Sequence, residues 1–203
     1  DDETNAEFDQ FFAAHMRKVI ALRREGPDDH RRYLSKNNLN IARLAAPPAP
    51  LKKGIRLVPF REPVQHAASM LRQHRRFTEL HAEDDFVREY MAAIGHHEFG
   101  RTLRPVDFGG WLEETPEPPT ELAFWLRYWI AAYRHVLEHA GPSTVLLSYA
   151  RLTQKPEEAL AAVAGAIGIP AGDLTALSER LHPPRPHEVN RGELSDDLLD
   201  QAA

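Results

Sequence analysis

Apolar residues recur at three- and four-residue intervals early in the chain, at Phe8, Phe11, Phe12, Met16, Val19, Ile20 and Leu22. That spacing predicts a helix over Ala6 to Arg24, ended by Gly26-Pro27. Arg32 to Ser35 has the length of a short buried strand. Asn38 to Leu44 reads as a helix, stopped by Pro47-Pro48-Ala49-Pro50. The clearest strand is Gly54 to Phe60 (GIRLVPF), although Pro59 is awkward for a central position. A helix follows at once from Pro63 to about Phe77, with proline well suited to its first turn. A further helix covers Ala82 to Ile94.

Between Gly95 and Pro119 the periodicity fails. The stretch is rich in Gly, Pro, His and Glu and predicts an irregular excursion or lid. Glu121 to His139 is again amphipathic and carries Phe124, Trp125, Tyr128, Trp129 and Tyr133, with Gly141-Pro142 closing it. Thr144 to Tyr149 (TVLLSY) is the second convincing strand. Pro156 to Ile167 is helical with Gly168 just past its end. Leu174 to Leu181 is a short helix, and the tail from Pro183 is loop until Ser195 caps a last turn. Strands of buried type alternating with helices predict a helix-rich α/β fold, a parallel sheet flanked by helices. One domain spanning 1–203 is expected, with 95–119 as its excursion and 183–203 as its tail.

Composition narrows the function classes. The 203 residues are 42% hydrophobic, enough for a core, and 27% charged, with 16 prolines punctuating the loops. A net charge of −5 argues against nucleic acid as a partner, so any anion site must be a local basic cluster. The absence of cysteine removes disulfides, thiolate metal sites and a cysteine nucleophile. No apolar run reaches the roughly 18–20 residues of a transmembrane segment, and Asp1-Asp2-Glu3 is unlike a signal peptide. A soluble protein is expected, with a cytoplasmic location favoured. Among the 11 histidines, His96-His97-Glu98 does not form a HExxH zinc motif, and no metal is expected.

Candidate chemistry concentrates in Ile55 to Arg76. A hydrophobic strand delivers Arg61 to its carboxyl edge, where α/β folds place their ligands. Glu62-Pro63 then opens a helix, with Ser69 about two turns along it. Arginine offers a forked, permanently charged donor to phosphate oxygens, and a serine hydroxyl adds a neutral one. The same residues also fit a plainer reading, with Arg61 paired to a surface carboxylate and Ser69 packed among Ala67 and Ala68.

Arg61-Glu62-Pro63 with Ser69, directly after a strand, resembles the 3′-phosphate motif of the sulfotransferase family. Two further matches follow the family's order. Tyr33 to Asn38 is similar to its strand ending in a lysine, here Lys36. Leu146 to Leu152, then Lys155-Pro156-Glu157-Glu158 and Ile167-Gly168-Ile169-Pro170, is similar to its Tyr-Glu-x-Leu strand and the helix beyond. The resemblance spans about Arg32 to Pro170. It implies a P-loop NTPase-like sulfotransferase fold and a transfer of a sulfuryl group from 3′-phosphoadenosine 5′-phosphosulfate (PAPS) to a hydroxyl or amine acceptor. Adenosine 3′,5′-bisphosphate would be the product. The acceptor could be a small molecule, carbohydrate, lipid or peptide. By the resemblance, Arg61 and Ser69 bind the 3′-phosphate, Tyr149 lies near the adenine, Arg191 with Gly192 completes the phosphate site, and Lys36 stabilises charge on the departing bridging oxygen. Tyr149 fits a core position at a strand end equally well.

Three departures from the family pattern stand out. No Gly-Thr or Gly-Ser phosphate loop precedes Lys36, and with a start other than Met we expect the segment holding it to lie upstream. Asn38 stands where cytosolic members place a histidine base, and an amide is no base near neutral pH; His15, His66 and Glu83 are the candidates within the chain. Ala150 replaces the family's acidic residue. Two other classes therefore stay open, a non-catalytic sulfotransferase-like interaction module and another P-loop-type phosphotransferase.

Overall fold

The computed structural model describes residues 5–26 and 29–203. It is helix-rich α/β. Two short strands, β1 (Arg56–Phe60) and β2 (Thr144–Ser148), pair in parallel with Val58 opposite Leu146 and Phe60 opposite Ser148. The helices are α1 (Ala6–Arg23), α2 (Pro63–Glu83), α3 (Asp85–Ala93), α4 (Leu122–His139), α5 (Tyr149–Gln154), α6 (Pro156–Ile167), α7 (Ala171–Thr175) and α8 (Asp196–Ala202). Short 3-10 turns fill several connections, the longest over Asn38–Arg43.

The core lies between α2 and α4, with α8 closing one side. Helix α4 is the organising element because its aromatic residues occupy the buried face: Trp125 is 1% exposed and Leu126 fully buried. Trp125 satisfies its indole N–H by donating to the Pro119 carbonyl at 2.8 Å, as burial of a polar ring atom requires. Helix α2 meets α4 through Val64, Ala67 and Leu71, which recur at the spacing of one helical face. The irregular segment after α3 adds Phe108 and Trp111 to this core, and Trp111 stacks on Tyr128 with ring centroids 4.9 Å apart.

The strand hydrogen bonding explains Pro59. Its carbonyl accepts the Tyr133 hydroxyl of α4 at 2.7 Å, and among the described residues β1 pairs only with β2. Proline is thus placed on an edge, where its missing N–H costs no ladder bond.

Several sequence expectations need correction, among them the helix over Leu174 to Leu181, where α7 ends at Thr175 and a separate 3-10 turn covers Ser178–Arg180. Arg32 to Ser35 forms no strand. Its chain has no regular structure and lies on the surface, with Leu34 90% exposed, and Arg32 donates through its guanidinium to the Ile167 and Gly168 carbonyls at the end of α6. Tyr149 does not end β2; it is the first residue of α5, whose start is fixed by the Ser148 hydroxyl accepting from the Arg151 N–H at 3.3 Å. Helix α2 also runs on to Glu83 before Asp84 caps α3 by accepting from the Val87 N–H at 3.2 Å. No helix among the described residues is long and apolar enough to cross a membrane.

Candidate anion-binding cleft

Parallel pairing brings the carboxyl ends of β1 and β2 side by side, so Phe60-Arg61 and Ser148-Tyr149 leave the sheet together. A cleft of about 270 Å³ opens there. Arg61, Glu62 and Gln65 line one wall, Tyr149 and Thr153 a second, and the proline-rich chain at 183–186 a third. Arg61 is half-buried and opens into this space. The structure therefore unites Arg61 and Tyr149, which are far apart in sequence.

Glu62 shapes the entrance. Its Oε2 accepts the Gln65 N–H at 2.5 Å and caps α2, while its Oε1 accepts from the Arg191 guanidinium at 2.9 Å. Arg191 thus stands beside the cleft but is already engaged by a carboxylate. The cap takes up the Gln65 N–H, one of the amides that a helix start could offer to an anion.

The tail crosses α2 at the same level. Gln65 donates its Nε2 to the His187 carbonyl at 3.0 Å and accepts the His187 N–H on its Oε1 at 2.6 Å. The Tyr149 hydroxyl donates to the His182 carbonyl at 3.3 Å. Both ends of the 183–186 segment are therefore pinned over the cleft.

Ser69 is half-buried, one turn beyond Gln65 on the same face of α2, with Arg72 next along that face. It does not line the cleft. Lys36 is not brought there either. It is exposed in the surface chain that was expected to form a strand, and that chain is held against α6 instead.

The candidate bases fare differently. Glu83 ends α2, about 30 Å along the helix from its start. His15 is exposed and meets Tyr33 edge-on with centroids 6.4 Å apart. His66 is at the right end of α2, but its Nδ1 accepts the Trp129 indole N–H at 3.1 Å. That bond places the proton of the neutral ring on Nε2. Burial, helped by the Arg61 charge, lowers its pKa to about 4, which makes it a weak base at neutral pH.

Gln65 and His187 were not singled out by the sequence pattern, and His66 only as a candidate base. Among the described residues no group of three or more His, Asp or Glu side chains is arranged to hold a metal ion. No family model matches the chain, and neither the curated proteins nor the solved structures contain a match.

Proposed function

We propose that the cleft binds the 3′-phosphate end of PAPS and that the protein is a sulfotransferase. The observation that carries this reading is the convergence of Arg61 and Tyr149 at the carboxyl ends of adjacent parallel strands, with Arg191 beside them. A ligand crevice at that edge is the general rule for α/β sheets. Arg61 supplies the fixed positive charge, Tyr149 an apolar ring wall, and Arg191 a second charge once it leaves Glu62. Sulfuryl transfer would run in line, with positioning and charge stabilisation carrying the catalysis. A P-loop NTPase-like sulfotransferase fold belongs to the same proposal.

A non-catalytic nucleotide-binding or interaction module is the second reading. The exposed position of Lys36, away from the cleft, favours it. Calorimetric titration with adenosine 3′,5′-bisphosphate, 5′-AMP and ATP separates the classes. The sulfotransferase reading expects the bisphosphate to bind far more tightly than 5′-AMP. Preference for ATP would indicate a phosphotransferase, and response to none would leave an interaction module. Sulfate transfer from labelled PAPS then distinguishes an enzyme from a nucleotide-binding remnant.

A further inference from the structure

The sheet has one blunted edge and one open edge. The Arg56 N–H donates to the Ser143 carbonyl at 2.8 Å. With the parallel register, that bond turns the backbone groups of Arg56, Val58 and Phe60 toward β2 and those of Leu57 and Pro59 outward. The outer edge of β1 is thereby spoiled for pairing: Pro59 has no N–H to offer, and its carbonyl is taken by the Tyr133 hydroxyl. On β2 the same alternation points Val145 and Leu147 at β1, and Thr144, Leu146 and Ser148 away from it. The outward N–H and C=O of Leu146 meet no partner among the described residues, and its side chain is 44% exposed. Besides β1, the main element against β2 is α5, which continues the same chain. The strand itself (Thr-Val-Leu-Leu-Ser) carries neither the charge nor the proline that guards an edge.

This open edge is complementary to itself. Laid antiparallel about a two-fold axis at Leu146, Thr144 stands opposite Ser148 of a second copy, Val145 opposite Leu147, and Leu146 opposite its own image. Polar residues meet polar ones and apolar meet apolar. The match extends to backbone charge. Outward-facing residues on the axis form a hydrogen-bonded pair, so each Leu146 N–H meets the other chain's Leu146 carbonyl. The Thr144 N–H is already committed to the Gly141 carbonyl at 2.8 Å, and Ser148 turns its carbonyl into α5 as the cap of that helix. What remains is the Thr144 carbonyl and the Ser148 N–H, which are the two groups that the antiparallel register sets facing each other.

We propose that the chain forms a two-fold symmetric dimer through antiparallel pairing of β2 with β2 of a second copy. A two-stranded sheet is marginal alone, and the pairing makes a four-stranded one whose outer edges are the two blunted β1 strands. The dimer does not depend on what the cleft binds. It sets the two clefts at opposite ends of the joined sheet, because Ser148-Tyr149 leave the carboxyl end of each β2. A few main-chain bonds and one leucine pair make a small interface, so a micromolar dissociation constant is expected.

The test is sedimentation velocity on the full chain from about 1 to about 100 µM, with hydrogen exchange on the same samples. The wild type should pass from monomer to dimer across that range, and its Leu146 amide should become protected in step. Leu146→Lys sets like charges against each other on the axis and should weaken dimerisation by at least about tenfold, as should Leu146→Glu. An equimolar mixture of the two variants should recover the dimer, since opposite charges then face each other. The Val145 and Leu147 amides, which point at β1, should stay protected in both variants and report an intact sheet. A wild type that stays monomeric at about 100 µM, or whose Leu146 exchange ignores concentration, would overturn the proposal without recourse to any variant. So would a dimer that neither charge weakens, and a mixture that stays monomeric would remove Leu146 from the axis.

Discussion

The carboxylate of Glu62 lies between two partners 126 residues apart, with Gln65 N–H at 2.5 Å on one oxygen and the Arg191 guanidinium at 2.9 Å on the other. One side chain thereby caps α2 and holds the tail beside the cleft. It also keeps a negative charge at the mouth of a proposed anion site, so Glu62 and a phosphate would compete for Arg191.

Glu62→Gln keeps an acceptor for the cap and removes the charge. Bisphosphate binding should tighten by about two- to fivefold at low salt, with the gain shrinking as salt is raised. Stability should fall by less than about 1 kcal/mol, because the Arg191 pair is largely exposed. Titration at two ionic strengths and urea melts check both. Weaker binding by the variant would show that Glu62 assists the site rather than guarding it.

Gly100 is the most constrained glycine. Its φ is +76°, and an added Cβ would lie 2.7 Å from His81 Nδ1 and 3.0 Å from Phe77 Cβ. Its N–H also donates to His74 Nδ1 at 3.2 Å. Gly100→Ala combines left-handed strain with a clash against a fully buried ring, and should cost about 2–4 kcal/mol in urea denaturation. A loss under about 0.5 kcal/mol would contradict the packing of this turn on α2.

Gly165 gives the opposite expectation. It is exposed within α6, and a Cβ there meets nothing within 4 Å. Gly165→Ala should raise stability by roughly 0.5–1 kcal/mol, through the lower entropy of the unfolded chain. A thermal melt reads this directly.

Stability should fall on acidification. Burial is the leading cause of the lowered pKa at His66, to about 4, and at His74 and His81. Each imidazole binds a proton in the unfolded chain near pH 6.5 but resists it when folded. The unfolded state therefore binds more protons below that pH, and the stability contributed by the neutral rings is present above 6.5 and is lost as pH falls toward the folded pKa values. His74 and His81 use Nδ1 to accept the Gly100 and Arg101 N–H groups, bonds that a doubly protonated ring gives up. Urea midpoints measured from pH 7 to pH 4.5 should decline, and His74→Gln should flatten the slope. A midpoint independent of pH across this range would contradict the neutral, buried assignments.

Much of the fold was legible because local chemistry and tertiary structure agree. Helix α6 begins at Pro156 and ends at Gly168, whose φ of +67° is the left-handed stop that glycine favours. Both convincing strands formed and paired in parallel. The Arg32–Ser35 segment misled because a short run carries no periodicity, and the bonds from Arg32 to the end of α6 span 135 and 136 residues. Tyr149 was displaced from strand to helix by one cap, Ser148. At the site, the order of motifs foreshadowed the meeting of Arg61 and Tyr149. It could not foreshadow the Gln65 clamp, because the clamp reads only the backbone of His187 and any residue but proline there would serve. The Trp129–His66 bond was equally hidden, since each residue alone fits an ordinary amphipathic pattern.

The Arg61 side chain is the centre of the account, and the measurement that tests it most directly is the affinity of Arg61→Ala for adenosine 3′,5′-bisphosphate, set against 5′-AMP. Loss of a charged, forked contact should cost about 2–4 kcal/mol, or roughly 30- to 1000-fold, and should erase the preference for the 3′-phosphate. A change below about threefold, with that preference intact, would contradict the assignment of this cleft as a phosphate site.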